Sequence, residues 1–274
     1  MDNFIPLLFN AAFATLFAGA CLYILHFVGQ RRFVRALARS FVLAGFVFLS
    51  SVLALRSFAA GGFSVLGLHE SLLFFAWLLV AAFWISELKS GSSVNAILAM
   101  PLVAALLGAA RFVDNAVKPL PPALQSRWLG LHVTSCFIGY ACFALGFCFA
   151  VLYLWQEAEI KSRKVDKNFF RLPSLGMLDS MGYKTIALGF ISLSIGIISG
   201  SVWAQRAWGA LWSWDPKETW ALLLWLVYLA YLHGRVARGW KGHRSAWYAI
   251  AGFFVMIFTY LGSSFLFQGL HSYL

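Results

Sequence analysis

Eight times along this chain a run of mostly apolar residues recurs, near 4 to 28, 38 to 55, 66 to 86, 94 to 111, 128 to 155, 183 to 202, 218 to 233 and 245 to 267. An α-helix rises about 1.5 Å per residue and a bilayer's hydrocarbon layer is about 30 Å thick, so roughly twenty apolar residues are what one crossing requires. Lipid offers no partner to a backbone N–H or C=O. Each run must therefore pair its own, which a helix does, whereas barrel strands would show shorter, alternating runs. The expected fold class is an all-α integral membrane protein of about eight transmembrane helices. The fourth run, interrupted by Pro101, is the weakest of the eight. With 61% hydrophobic and 11% charged residues, the chain has too little polar surface for a water-soluble globule.

The charge balance fits the same reading. A net charge of +11 invites a nucleic-acid partner, but the cations fall in short runs between apolar segments rather than along one polar face. Lys and Arg are retained on the cytoplasmic side of a membrane. The connections after spans one, three, five and seven hold 15 of the 21 Lys and Arg, including Arg31, Arg32, Arg35 and Arg39, then Lys161 to Lys184, then Arg235 to Arg244. Both termini are therefore expected on the outer, periplasmic side. If the fourth span failed to cross, the later loops would invert and the bias would vanish, so the charges support eight spans. No separate soluble domain is apparent, and residues 1–274 read as one polytopic membrane domain. The N-terminus lacks a basic leader segment and reads as a retained span. The four cysteines, at 21, 136, 142 and 148, lie inside apolar segments without metal or disulfide spacing.

One stretch does not behave like the others. Residues 203–225, WAQRAWGALWSWDPKETWALLLW, hold six of the twelve tryptophans, yet the first half is polar and broken by glycine. Trp favours the membrane boundary, where ring and N–H are both satisfied. A belt alone would scatter one or two per helix end, so a flat external aromatic surface is expected here. Asp215 followed by Pro216 is a helix start, with Asp215 as N-cap and Pro216 at the first helical position.

Topology then sorts the histidines. His132 opens span five, four residues after Trp128 and on the same helix face. His271 follows span eight. Both are expected at the outer level of the Trp-rich segment. Two imidazoles flanking an indole surface suit the iron and the flat faces of haem, with Arg206 and Lys217 available to its propionates. Lone interfacial histidines also serve as polar anchors, and that reading stays open. His233 ends span seven close to the hydrocarbon, where an ionisable group is a functional candidate. His26 and His243 sit beside basic loops as interface residues. His69, next to Glu70, is ambiguous.

These residues carry a resemblance. WGALWSWDPKETWALLLWLVYLAYLHGR is similar to the WWD signature of the haem-handling proteins of cytochrome c maturation, most closely the CcsA (ResC) family. LPPALQSRWLGLHVTSCFIGYACFALGF resembles the family's segment with the first external histidine, and LPSLGMLDSMGYKTIALGF its next span entry. LGSSFLFQGLHSYL resembles its C-terminal histidine segment, and LHESLLFFAW a stretch usually written with Tyr at the position of His69. The likeness is strong from about Leu120 onward and rests only on span pattern over residues 1 to 60. The related WWD proteins CcmC and CcmF share tryptophans, but DPKETW within eight spans favours CcsA.

The resemblance implies that His132 and His271 are axial ligands of haem b held non-covalently, on a platform of Trp203, Trp208, Trp212, Trp214, Asp215 and Trp220. It implies that His233 belongs to a transmembrane haem site completed by a ResB (CcsB)-type partner. The implied function is haem transport across a bacterial cytoplasmic membrane, or a plastid thylakoid, and presentation to apocytochrome c. Thiols of an incoming C-x-x-C-H segment would add across the haem vinyls, so catalysis by this chain would consist of positioning within a holocytochrome c synthetase complex. A b-type cytochrome in quinone-linked electron transfer is the alternative, although such proteins hold haem from histidines at two membrane depths.

Overall fold

The structure, a computed structural model, describes residues 4–63, 65, 67–117, 119–120, 125–162 and 171–262. All regular structure among them is helical: α1 Phe4–Gly29, α2 Arg32–Ala59, α3 Leu68–Ser90, α4 Ala96–Ala110, α5 Arg127–Lys161, α6 Leu175–Trp208, α7 Pro216–Ala237 and α8 His243–Ile257, the last running into a π-helical turn, Phe258–Gly262. Seven of these are long and apolar enough to cross a membrane, counting α8 with its π turn. The exception is α4. Its 15 residues, with Pro101 inside, span only about 22 Å at the helical rise. The run expected to be weakest from its sequence is thus the one described helix that falls short of a full crossing.

The helices fall into two compact units, residues 1–125 and residues 126–274. In the first, α1 packs along α2 and α4, and α3 against α4 and α2. Glycine sets how closely α1 and α2 approach. A Cβ on Gly19 would lie 2.7 Å from Val42 Cγ2, and one on Gly45 would lie 2.5 Å from Leu16 Cγ. Close backbone approach is how helices gain contact where lipid is as apolar as the side chains. Two buried carboxylates tie this unit together. Glu87, 2% exposed, accepts from Arg35 Nη2 and Arg39 Nη2, both at 2.9 Å, and from the Tyr23 hydroxyl at 3.1 Å. Glu70 pairs with Arg56, which also donates to the Asn115 carbonyl at 2.8 Å. A carboxylate withdrawn from water this far is tolerable only with such partners.

The second unit is built on the pairing of α5 with α6, joined by α8 against α5 and α7 against α6 and α8. Glycines recur here every seven residues, Gly139 and Gly146 on α5 and Gly182, Gly189 and Gly196 on α6. A seven-residue spacing keeps one stripe of each helix facing the other. A Cβ on Gly139 would lie 3.1 Å from the Gly189 carbonyl, and one on Gly146 would lie 2.6 Å from Ile186 Cγ1. Behind this seam Phe143 stacks on Tyr228 at 3.6 Å between ring centroids, and Phe147 on Phe253 at 4.1 Å. At the far end Asp179 accepts from Arg235 at 2.6 Å and from the Gly242 N–H at 2.9 Å, fixing the turn between α7 and α8.

With 35 and 34 residues, α5 and α6 are each about 50 Å long, well beyond the hydrocarbon layer. The sixth span, expected near 183 to 202, therefore runs on as helix. Residues 203–208 are the last turns of α6, ended only at Gly209, whose φ of +80° places it in the left-handed region. Gln205 and Arg206 occupy the helix's exposed side.

Candidate functional site

The start of α5, the end of α6 and the start of α7 bring together most of the residues singled out in the sequence. Trp128 and His132 share a face of α5 one turn apart, as their spacing requires. The Arg206 guanidinium of α6 lies 5.5 Å from the Trp128 ring centre, within cation–π range. His132 Nδ1 lies 2.7 Å from the Gly196 carbonyl oxygen. Cys136, one turn further along α5, has its Sγ 3.8 Å from the same nitrogen.

The tryptophans are arranged differently from the flat surface expected. Trp203 is only 2% exposed and meets Trp208 edge-on, with 4.6 Å between centroids and 75° between planes. Trp212 and Trp214 meet at 87° and 6.0 Å. Trp220 packs on Phe258 at 4.3 Å, while Trp225 stacks on Phe190 and donates to Ser194 Oγ at 2.8 Å. Indole quadrupoles favour such edge-on contacts over a coplanar sheet. The segment is a set of mutually braced rings, of which Trp214, 71% exposed, projects furthest.

The loop that carries Trp214 is pinned from α7. Asp215 caps that helix by accepting from the Lys217 N–H at 2.9 Å. Glu218 reaches back and accepts from the N–H groups of Ser213, at 2.8 Å, and Asp215, at 3.3 Å. This reciprocal capping box, with Pro216 in the first turn, is the helix start expected from Asp-Pro-Lys-Glu. It also holds Trp214 at a φ of +58°, a conformation costly for a residue with a Cβ. The carboxylate of Asp215 is thus engaged with the α7 backbone.

His233 stands elsewhere, near the other end of α7. The buried face of that helix carries Leu224, Tyr228, Tyr231 and Gly234. His233 lies on the opposite, exposed face, in a stripe with Leu226, Leu229 and Val236. His271 lies outside the described residues. His69 is buried and its Nδ1 is 2.9 Å from the Ala110 carbonyl, which ties α3 to the end of α4. His243 pairs with Glu157 at 2.6 Å and His26 contacts the Arg31 carbonyl at 3.1 Å.

Among the described residues no three His, Cys, Asp or Glu side chains gather into a group that could hold a metal ion by themselves. An imidazole beside indole rings suits a metal that arrives within its own macrocycle, where the protein supplies only axial donors and apolar walls. The roles of Gly196, Gly200 and Glu218 were not drawn from the sequence. For Gly196 the seven-residue spacing is the available signal, and for Gly200 its place one helical turn further on. The reach of Glu218 follows from the capping-box pattern once Asp215 is taken as the cap.

A family model described as cytochrome C assembly protein matches residues 65–271. The cytochrome c biogenesis protein CcsA of Heterosigma akashiwo (strain NIES-293 / 8280G21-1) is 37% identical, the match covering 100% of this chain and 96% of the relative. CcsA of Prochlorococcus marinus (strain NATL2A) is 40% identical over 86% of this chain and 84% of the relative. CcsA of Synechococcus sp. (strain RCC307) is 38% identical over 85% and 83%. Among solved structures, the cytochrome c haem lyase CcmF superposes with a TM-score of 0.68 at 16% identity, covering 97% of this chain and 47% of that one. The chain therefore shares a fold with about half of that larger protein. On the family match and on relatives aligned across nearly its whole length, this multi-pass membrane protein belongs to the CcsA family of cytochrome c biogenesis proteins.

Proposed function

We propose that this chain carries haem across the membrane and presents it to apocytochrome c, as the CcsA-type subunit of a cytochrome c synthetase completed by a ResB (CcsB)-type partner. His132 and His271 are the axial ligands of the presented haem b, held non-covalently, with Trp203, Trp208, Trp212, Trp214, Asp215 and Trp220 forming and bracing its surroundings. The observation that carries the reading is the convergence of His132, the Trp128–Arg206 pair and the pinned Trp212–Trp214 loop at one end of the second unit. Arg206 is exposed there and available to a propionate. In the attachment step each substrate thiol adds across one vinyl group, a C–S and a C–H bond replacing S–H and the vinyl π bond, with no net redox change. This chain contributes position, which can account for a large share of the barrier in such additions.

His233 is read as part of a second haem site within the membrane. Its place on an exposed helix face supports a ligand partner supplied by another protein. The membrane is the bacterial cytoplasmic membrane, the presentation site facing the periplasm; in plastids the counterpart is the thylakoid.

The full-length protein, expressed with its partner and purified in detergent, should show a Soret band and a low-spin spectrum. His132→Ala should abolish that low-spin spectrum and stop cytochrome c maturation, with exogenous imidazole restoring both in part. An unchanged spectrum and normal maturation in His132→Ala would sink the assignment.

A further inference from the structure

The α5–α6 seam does more than hold two helices together. His132 is seven residues before Gly139 and fourteen before Gly146, so the histidine occupies the outermost position of the stripe that those glycines define. Opposite it α6 carries Gly196 and Gly200. A Cβ on Gly200 would fall 2.7 Å from His132 Cε1 and 3.2 Å from Cγ, and would meet Nδ1 as well. Only a hydrogen at residue 200 lets the imidazole come this close to the helix. A Cβ on Gly196 would in turn strike Cys136 Sγ at 2.5 Å, so both residues of α5 depend on the bare backbone opposite.

We propose that Gly196 and Gly200 are positioning residues that fix the tautomer and direction of His132 for axial ligation of haem iron, an inference that rests on the reading of His132 as a ligand. A carbonyl oxygen only accepts, so the 2.7 Å contact requires the hydrogen to sit on Nδ1. A neutral ring then keeps its lone pair on Nε2, the nitrogen left to bind a metal. The ring's Nδ1–Cε1 side rests on Gly200, which turns the Cδ2–Nε2 side away from α6. Among the described residues Nε2 has no hydrogen-bond partner. The Gly196 carbonyl is itself steadied by Ser199 Oγ, which donates to it at 3.1 Å. A ligand histidine whose second nitrogen donates to a backbone carbonyl is oriented and made a better donor by that bond.

The test compares three variants of the full-length, haem-loaded protein by absorption and electron paramagnetic resonance. Gly200→Ala should convert the low-spin haem to a high-spin or haem-free form, and added imidazole should restore the low-spin signal. Gly189→Ala crowds the same seam against Phe143, away from His132, and should keep the low-spin spectrum even if less protein is recovered. His132→Ala reports on the ligand assignment itself. If His132→Ala loses the signal while Gly200→Ala retains it, the positioning role is wrong and the ligand role stands. If His132→Ala retains it, the ligand reading fails. Should Gly200→Ala not accumulate, the wild-type protein decides through electron–nuclear double resonance in D2O. One axial-imidazole N–H proton, shielded between α5 and α6, should exchange slowly, and immediate exchange of all such protons would overturn the proposal.

Discussion

Trp214 shows how much a single residue's backbone can reveal. Its φ of +58° costs about 1–2 kcal/mol for a residue with a Cβ. Glycine would remove that strain but would add roughly 0.5–1 kcal/mol of chain entropy to the unfolded state. Trp214→Gly should therefore leave the thermal midpoint in detergent nearly unchanged while lowering haem occupancy severalfold. A variant that keeps full occupancy would remove the indole from the haem surroundings. At this scale His132 was legible because a titratable residue at a span's edge stands out against apolar neighbours. Its partner was not. The Gly196 carbonyl belongs to the backbone of another helix, and no residue letter announces it.

Among the elements, α7 is the one whose start is written locally. Asp215, Pro216 and Glu218 cap, open and staple it within four residues, so sequence and structure agree there. Asp215→Ala should cost about 1 kcal/mol of stability, the usual worth of an N-cap. Glu218→Ala should do more to the loop than to the helix, because it frees the N–H groups of Ser213 and Asp215. Its measure is faster proteolysis between Gly209 and Trp214 at an unchanged melting point; equal rates in the variant and the parent would show that the staple does not hold the loop. The end of α6, by contrast, lies six residues beyond the apolar run near 183 to 202. Polar Gln205 and Arg206 resemble a loop in one dimension, whereas a helix longer than the membrane is thick presents them to water without breaking. Edge-on packing of the indoles was likewise invisible, since spacing along a chain fixes direction around a helix but not the tilt of a ring.

For the whole molecule, hydropathy made the helical class plain because backbone satisfaction in lipid leaves no competing solution. The count came close, with α4 the short member. The division into two compact units falls at the end of the polar connection from Arg111 to Arg127, whose three prolines are a boundary signal that the single-domain reading did not use. Orientation rests on the distribution of Lys and Arg and is directly testable. A cysteine introduced at Leu211, which is 56% exposed, should react with a membrane-impermeant maleimide added to intact cells, in a background where Cys21 is replaced. A cysteine at Lys241 should react only after permeabilisation. The reverse pattern would invert the topology and put the Trp-rich loop on the cytoplasmic side.

The glycine seam has one more implication, which concerns length rather than chemistry. With about 100° of turn per residue, one alanine inserted between His132 and Gly139 would rotate the imidazole off α6 and onto a neighbouring face. Two inserted turns, seven residues, would bring it back in phase but about 10 Å further along the axis. The stretch from His132 to Gly139 thus behaves as a ruler. Its residues can be exchanged for others that fit, but their number sets both the bearing and the depth at which the histidine is displayed.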